Sequence, residues 1–223
     1  MPTSTRSDRI VRAVTIPTDG PLLGGSLALP AAATGVVVFA HGSNSGRFSP
    51  RNQFVAEVLQ KAGLGTLLLD LLSDVESRDR VKVFDVELLA QRLLVASLWL
   101  VDQPGMRHLR LGYFGASTGA GAALIAAAGR PELVAAVVSR GGRPDLATND
   151  LHYVKAPTLF IVGGCDEEVL RLNRFAQAQL RCPCELKIVP GASHLFEEPG
   201  TLEQAAQFAA DWFLKYLDGH TAA

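Results

Sequence analysis

The chain has 223 residues, of which 48% are hydrophobic and 19% charged, and its formal net charge is −1. That size and balance suit a globular domain with a sizeable core. They exclude a disordered chain and a protein that binds nucleic acid by neutralising phosphates.

Three cysteines are too few for a disulfide scaffold. The N-terminal MPTSTRSDRIVRAV lacks the apolar run of a signal peptide, and no stretch approaches a membrane span. The expectation is one domain over residues 1–223 in a reducing, cytoplasmic setting, with no nucleic-acid or membrane partner. Residues 9–16 alternate like an edge strand and stop at Pro17. Gly20-Pro21 turns the chain into a second strand over 22–29, and the two form an antiparallel hairpin. Val36 to Ala40 is an unbroken apolar run, the pattern of a strand covered on both faces. It ends in the small polar loop His41-Gly42-Ser43-Asn44-Ser45-Gly46.

A helix over 50–62 carries Phe54, Val55, Val58 and Leu59 at helical spacing, with Gly63 closing it. Residues 66–69 form the next buried strand, and the charged segment 70–85 shows no clear periodicity. Residues 86–101 are helical, with Leu89, Leu93, Ala96 and Leu100 on one side. Strands follow at 109–114, 133–139, 158–162 and 185–189, and helices after Ser117, at 169–180 and at 201–217. Residues 140–153 form a loop with room for a short turn. Alternating strand and helix at this spacing predicts a mostly parallel sheet with helices on both faces. Ligands then sit beyond the C-terminal strand ends, where chemically active residues should fall.

Ser117 meets that condition. It lies between Gly115 and Gly119 in a G-x-S-x-G pattern, after a strand and before a helix rich in small residues. Such a bend strains the serine backbone, leaves no room for side chains two positions away, and lifts the hydroxyl clear of the sheet. The helix start behind it offers unpaired N–H groups to a developing oxyanion. The same letters also fit a plain turn, so partners decide.

A serine needs a base, usually a histidine held by a carboxylate. Among five histidines, His194 follows the last strand and precedes the last helix. His108 belongs at the opposite sheet end, His220 in the polar tail and His152 in a long loop. His41 suits a structural or oxyanion-loop role. Asp166 follows the 158–162 strand and is the first choice of acid, Asp145 is the second, and Asp70 is expected to cap or to line a lid. The order Ser117, Asp166, His194 fits a strand-end triad. Cys182 and Cys184 have no partners at metal spacing, so no metal or cofactor is expected.

Four segments together, FAHGSNSG (39–46), GYFGASTGAGAAL (112–124), APTLFIVGGCDEEV (156–169) and VPGASHLFEEPG (189–200), resemble the α/β-hydrolase superfamily. Within it the chain is similar to the small dienelactone-hydrolase-like branch over about residues 20–217. The resemblance implies an α/β-hydrolase fold with no large cap domain. It also implies attack by Ser117 on an acyl carbonyl, with His194 as base then acid and Asp166 orienting the imidazole. It places the oxyanion hole at the backbone N–H of Thr118 and at Ser43 or Asn44. Dienelactone hydrolase carries a cysteine at the nucleophile position. The serine here suits general carboxylester hydrolysis.

Arg140 and Arg143 either bind a substrate carboxylate or pair with Asp145, Asp150 or acids of the 70–85 segment. Phe48 and Phe84 either wall an acyl pocket or pack on the core, and Arg47 and Arg51 flank the oxyanion loop. The expected activity is hydrolysis of small short-acyl esters or lactones by a serine carboxylesterase, with a homodimer left open. A peptidase or acyltransferase on the same triad is the alternative, and a non-catalytic interaction protein of the same fold is a further one. A nucleotide-binding fold is disfavoured, since HGSNSGRFSP has neither G-x-G-x-x-G nor a P-loop lysine.

Overall fold

The computed structural model describes residues 9–43 and 45–218. Its strands are β1 (Arg9–Ile16), β2 (Leu23–Pro30), β3 (Gly35–Ala40), β4 (Gly65–Leu69), β5 (Arg110–Ala116), β6 (Val134–Arg140), β7 (Thr158–Gly163) and β8 (Cys184–Val189). They form one sheet in the order β1-β2-β4-β3-β5-β6-β7-β8. β1 and β2 pair antiparallel, as the Gly20-Pro21 turn dictates, and β2 meets β4 antiparallel. From β4 through β3, β5, β6 and β7 to β8 every pairing is parallel.

The helices are α1 (Pro50–Lys61), the single turn α2 (Arg80–Val83), α3 (Val86–Val101), α4 (Thr118–Gly129), α5 (Glu167–Gln177) and α6 (Thr201–Leu217). All six residues of β3 and of β7, and all five of β4, are buried, because helices cover both sheet faces. Buried residues of α3, α4 and α5 form one apolar cluster with the sheet, including Leu89, Leu93, Ala96 and Leu100. Residues of α1 and α6, with Phe39, Phe114 and Phe213, form the other. Each fully buried leucine or phenylalanine contributes about 1.5–3 kcal/mol of transfer free energy, so the two clusters hold the strand ends as a rigid platform.

Element ends shift in instructive ways. β5 does not stop at Gly115. It continues to Ala116, because Gly115 and Ala116 pair with Ser139 and Arg140. β6 likewise extends through Arg140, which is therefore a strand residue facing a packed environment and not the start of a loop. The loop beyond it holds two 3-10 turns, Pro144–Ala147 and Leu151–Tyr153. α5 begins two residues earlier than its apolar spacing suggests, directly after Asp166, with Glu167 and Glu168 in its first turn. Segment 70–85 folds into a 3-10 turn at Glu76–Arg78 followed by α2, which leaves no large cap. No helix among the described residues is long and apolar enough to cross a membrane.

Candidate active site

Ser117 is the joint between β5 and α4, with φ 51° and ψ −123°. A positive φ at a residue with a Cβ costs on the order of 1–3 kcal/mol and persists only where neighbours enforce it. Two hydrogen bonds do so: Ser117 N–H donates to Arg140 O at 3.3 Å, and Arg143 N–H donates to Ser117 O at 3.0 Å. The flanking glycines are steric necessities. A Cβ on Gly115 would lie 2.4 Å from Ala120 Cα, and one on Gly119 would lie 2.2 Å from Ala40 O. Neither obstacle is a side chain that can swing away. Gly119→Ala is therefore expected to destabilise the protein by about 2–3 kcal/mol, read as a lowered denaturant midpoint with an unchanged slope.

The candidate acid and base meet. Asp166 follows β7, His194 follows β8, and His194 Nδ1 lies 2.6 Å from Asp166 Oδ2. The two loops are laced together, since Cys165 N–H donates to Ala192 O at 2.9 Å and Gly164 N–H to Val189 O at 2.8 Å. Glu198 Oε2 accepts the Ser193 N–H at 2.9 Å, which lowers the Glu198 pKa and braces the histidine turn. That turn includes Phe196, whose φ of 57° is another left-handed residue with a side chain.

His194 packs over Gly141, whose added Cβ would come within 3.6 Å of Nδ1 and Cε1. Ser117 is hydrogen-bonded to residues 140 and 143 of the same turn. Hydroxyl and imidazole thus border one short segment. Among the described residues no hydrogen bond joins Ser117 Oγ to the ring. Asp145 is taken elsewhere, accepting a two-pronged bond from Arg143 at 2.8 and 2.7 Å. His152 stacks on Tyr153, and His108 precedes β5 at the other end of the sheet.

The loop after β3 is fixed by His41. Leu71 N–H donates to Nε2 at 3.0 Å, so Nδ1 carries the proton and donates to Gly42 O at 2.9 Å. Burial lowers the pKa of His41 and keeps the ring neutral. Because a trans peptide points its C=O and N–H in opposite directions, holding Gly42 O aims the Ser43 N–H the other way. That N–H donates to Thr118 Oγ1 at 2.9 Å. Thr118 opens α4, where the first backbone N–H groups have no intrahelical acceptor. Ser43 and Thr118 therefore converge beside Ser117. Asn44 lies outside the described residues, as does His220.

Next to this loop opens a hollow of about 610 Å³, lined by Leu22, Gly24, Ser43, Arg47, Phe48 and Leu72 among others. Segment 70–85 supplies another wall through Asp74, Val75, Ser77 and Val83. Asp70 lines the hollow and anchors the loop. It accepts the Arg47 backbone N–H at 2.8 Å and pairs with the Arg47 guanidinium. Phe48 is mostly exposed under the Arg47 side chain. Phe84 stands half-exposed beside Arg80 and is not one of the lining residues.

Arg140 and Arg143 part company. Arg143 is neutralised by Asp145. The Arg140 side chain is buried, with only 7% of the residue exposed, and among the described residues it has no hydrogen-bonding or ionic partner. Sequence reasoning assigned no role to Glu198 or Asn173. Asn173 Nδ2 donates to Gly142 O at 2.9 Å and so steadies the turn under Ser117. No local pattern marks either residue: Asn173 acts on a turn 31 residues away, and Glu198 reaches Ser193 only because the histidine turn folds back. Cys182 and Cys184 are free, and burial pushes the Cys184 thiol up to about 12.

Residues 74–218 match the family described as the dienelactone hydrolase family. The crystal structure of a dienelactone hydrolase from Anabaena variabilis superposes with a TM-score of 0.92 and 56% identity, over 94% of this chain and 99% of that one. Est1E from Butyrivibrio proteoclasticus shares the fold at a TM-score of 0.78 and 16% identity, over 91% and 97% of the two chains. The "Putative phosphoribosyl transferase" proteins of two Mycobacterium tuberculosis strains are 59% identical over 201 residues. That match takes in 90% of this chain and 45% of each relative, so the chain spans less than half the length of those proteins. The architecture is the α/β-hydrolase fold.

Proposed function

Because the chain belongs to the dienelactone hydrolase family, and is thus a hydrolase, we propose that it is a serine carboxylesterase acting on small esters or lactones. The observation that carries the reading is the His194–Asp166 hydrogen bond at the rim where Ser117 holds a left-handed backbone.

In this mechanism Ser117 Oγ attacks the acyl carbonyl while its proton passes to His194 Nε2. Asp166 accepts the Nδ1–H and stabilises the imidazolium. The Thr118 N–H takes the developing oxyanion, joined by the Ser43 N–H as it exchanges Thr118 Oγ1 for the substrate oxygen, each such donor being worth roughly 3 kcal/mol in the transition state. His194 then protonates the departing alkoxide oxygen, leaving an acyl-serine. Water, deprotonated by His194, attacks the acyl-serine, and the imidazolium returns that proton to Ser117 Oγ as the acid leaves. The Ser117 hydroxyl then has to close on the ring when substrate binds, as catalytic hydrogen bonds commonly tighten in the substrate complex.

The hollow beside the oxyanion loop supports a small substrate, since its walls mix Leu22, Leu72 and Val83 with Ser43, Ser73 and Ser77. The phosphoribosyl transferase name belongs to proteins of which this chain spans 45%, and no residue described above favours that chemistry here. A fluorophosphonate probe tests the proposal. It should label one residue, identified as Ser117 by peptide mass spectrometry, in proportion to lost p-nitrophenyl acetate turnover. An unlabelled, folded protein would refute it.

A further inference from the structure

The walls of the hollow beside the Ser43 loop come from separate parts of the chain, and one side chain ties two of them together. Leu22 lines it from the β1–β2 hairpin, Val75 and Ser77 from segment 70–85, and Leu89 from α3. Arg92 follows Leu89 on α3, with its side chain only 12% exposed. Its planar guanidinium divides between two partners: Nη2 donates to Glu76 Oε1 at 3.4 Å, and Nη1 donates to Thr18 Oγ1. Thr18 Oγ1 also accepts the Gly20 N–H at 3.0 Å and donates to Pro21 O at 2.7 Å, closing the turn that delivers Leu22. Glu76 Oε2 accepts the Ser73 N–H at 3.1 Å and the Ser73 hydroxyl at 3.2 Å, and its Oε1 also takes Lys82 Nζ at 3.2 Å. Val75 is the neighbour of Glu76, so the two groups that Arg92 joins adjoin two lips of the hollow.

Those lips are apolar and open. Leu22 is 65% exposed, Phe48 68% and Val75 79%, and all three line this one concavity. Single exposed apolar side chains are ordinary, but a set converging on a concave mouth points to a ligand. The sheet order shows which part of an ester reaches them. Asp166 and His194 follow β7 and β8, on one side of the β5 end that carries Ser117. The hollow lies past the ends of β3 and β4, on the other side. The leaving oxygen must face His194 to be protonated, so the acyl chain points into the hollow. We propose that Arg92 is a positioning residue that fixes the gap between Leu22 and Val75, and that this gap selects straight acyl chains over branched ones. A gap set by charge-assisted bonds at a mostly buried guanidinium cannot widen without breaking one of them. A straight chain touches both lips, whereas a branched one has to force them apart. This rests on the esterase reading for its kinetic arm, but not for its second arm.

The kinetic arm compares p-nitrophenyl butyrate with p-nitrophenyl pivalate in wild type, Arg92→Met, Arg92→Lys and Thr18→Val. The butyrate-to-pivalate ratio of kcat/KM should fall about fivefold in Arg92→Met, through a higher KM for butyrate rather than a lower kcat. Methionine keeps the apolar stem, and Glu76 keeps Lys82 and both Ser73 bonds, so no buried carboxylate is orphaned. Thr18→Val cuts only the hairpin end of the tie, at a partly exposed position, and should lower the ratio in the same direction. Arg92→Lys supplies one nitrogen where the fork supplied two, so its ratio should fall between. A ratio unchanged in Arg92→Met, or equal losses on both esters, would overturn the proposal.

The second arm needs no turnover. Amide hydrogen exchange over residues 71–85 should be faster in Arg92→Met and in Thr18→Val than in wild type, with β5 unchanged. Exchange that is unchanged over 71–85, or that rises equally in β5, would overturn the role of Arg92. Faster exchange confined to that segment, in a protein that takes no fluorophosphonate label, would sink the esterase reading alone.

Discussion

Ser117→Ala is expected to lower kcat for p-nitrophenyl acetate by about 10⁴-fold or more, while the denaturation midpoint stays at or above that of wild type. The hydroxyl is the attacking atom in the proposed mechanism, so its removal leaves only the oxyanion donors and binding. The fold should not suffer, because neither bond that fixes residue 117 uses the side chain; both are made by its N–H and C=O. Alanine occupies the same left-handed backbone with a smaller side chain. Stopped-flow or steady-state assays beside a urea melt give both numbers. Turnover within tenfold of wild type would remove Ser117 from the chemistry.

Asp166→Asn should cost about 10⁴-fold in kcat at neutral pH, against a small loss for Asp145→Asn. The amide keeps the size of the carboxylate but presents an N–H₂ or a neutral oxygen to His194 Nδ1. It then favours the wrong tautomer or fails to stabilise the imidazolium. Asp145 offers a control of equal chemistry at a neighbouring turn, since its partner is Arg143. Its neutralisation loosens a partly exposed ion pair, for which the ordinary worth is about 0–1 kcal/mol. If Asp145→Asn proved the more damaging, the acid would have to be sought at the end of β6.

The elements whose residues carry their own signal were legible before any coordinates. β3, β4 and β7 are unbroken apolar runs because both faces are covered. Ser117 is announced by glycines that backbone atoms of Ala120 and Ala40 make obligatory. Asp166 and His194 were legible by position alone: each follows a parallel strand, and adjacent strands β7 and β8 bring their trailing loops together. Arg140 and Arg143 show where that logic stops. They sit three apart in SRGGR with identical chemistry, yet one is neutralised by a carboxylate two residues on and the other is sealed under Phe196. Only the extension of β6 by one residue decides which way Arg140 points, and that extension depends on pairing with Ala116 and Ile161. The 610 Å³ hollow was illegible for a related reason. Its walls come from β2, the β3 loop and segment 70–85, none of which carries a periodic pattern toward the others.

Gly24 on β2 has a bearing on how this scaffold can diversify. A Cβ there would overlap the Arg47 guanidinium at 1.8 Å and dislodge it from Asp70, the residue that also holds the Arg47 backbone. The outlying hairpin thereby borders the hollow beside the candidate site, and a side chain added there moves the free end of Arg47 while Asp70 still holds the Arg47 backbone. Substitution at Gly24 is thus a way to reshape that wall of the hollow by displacing the Arg47 guanidinium alone.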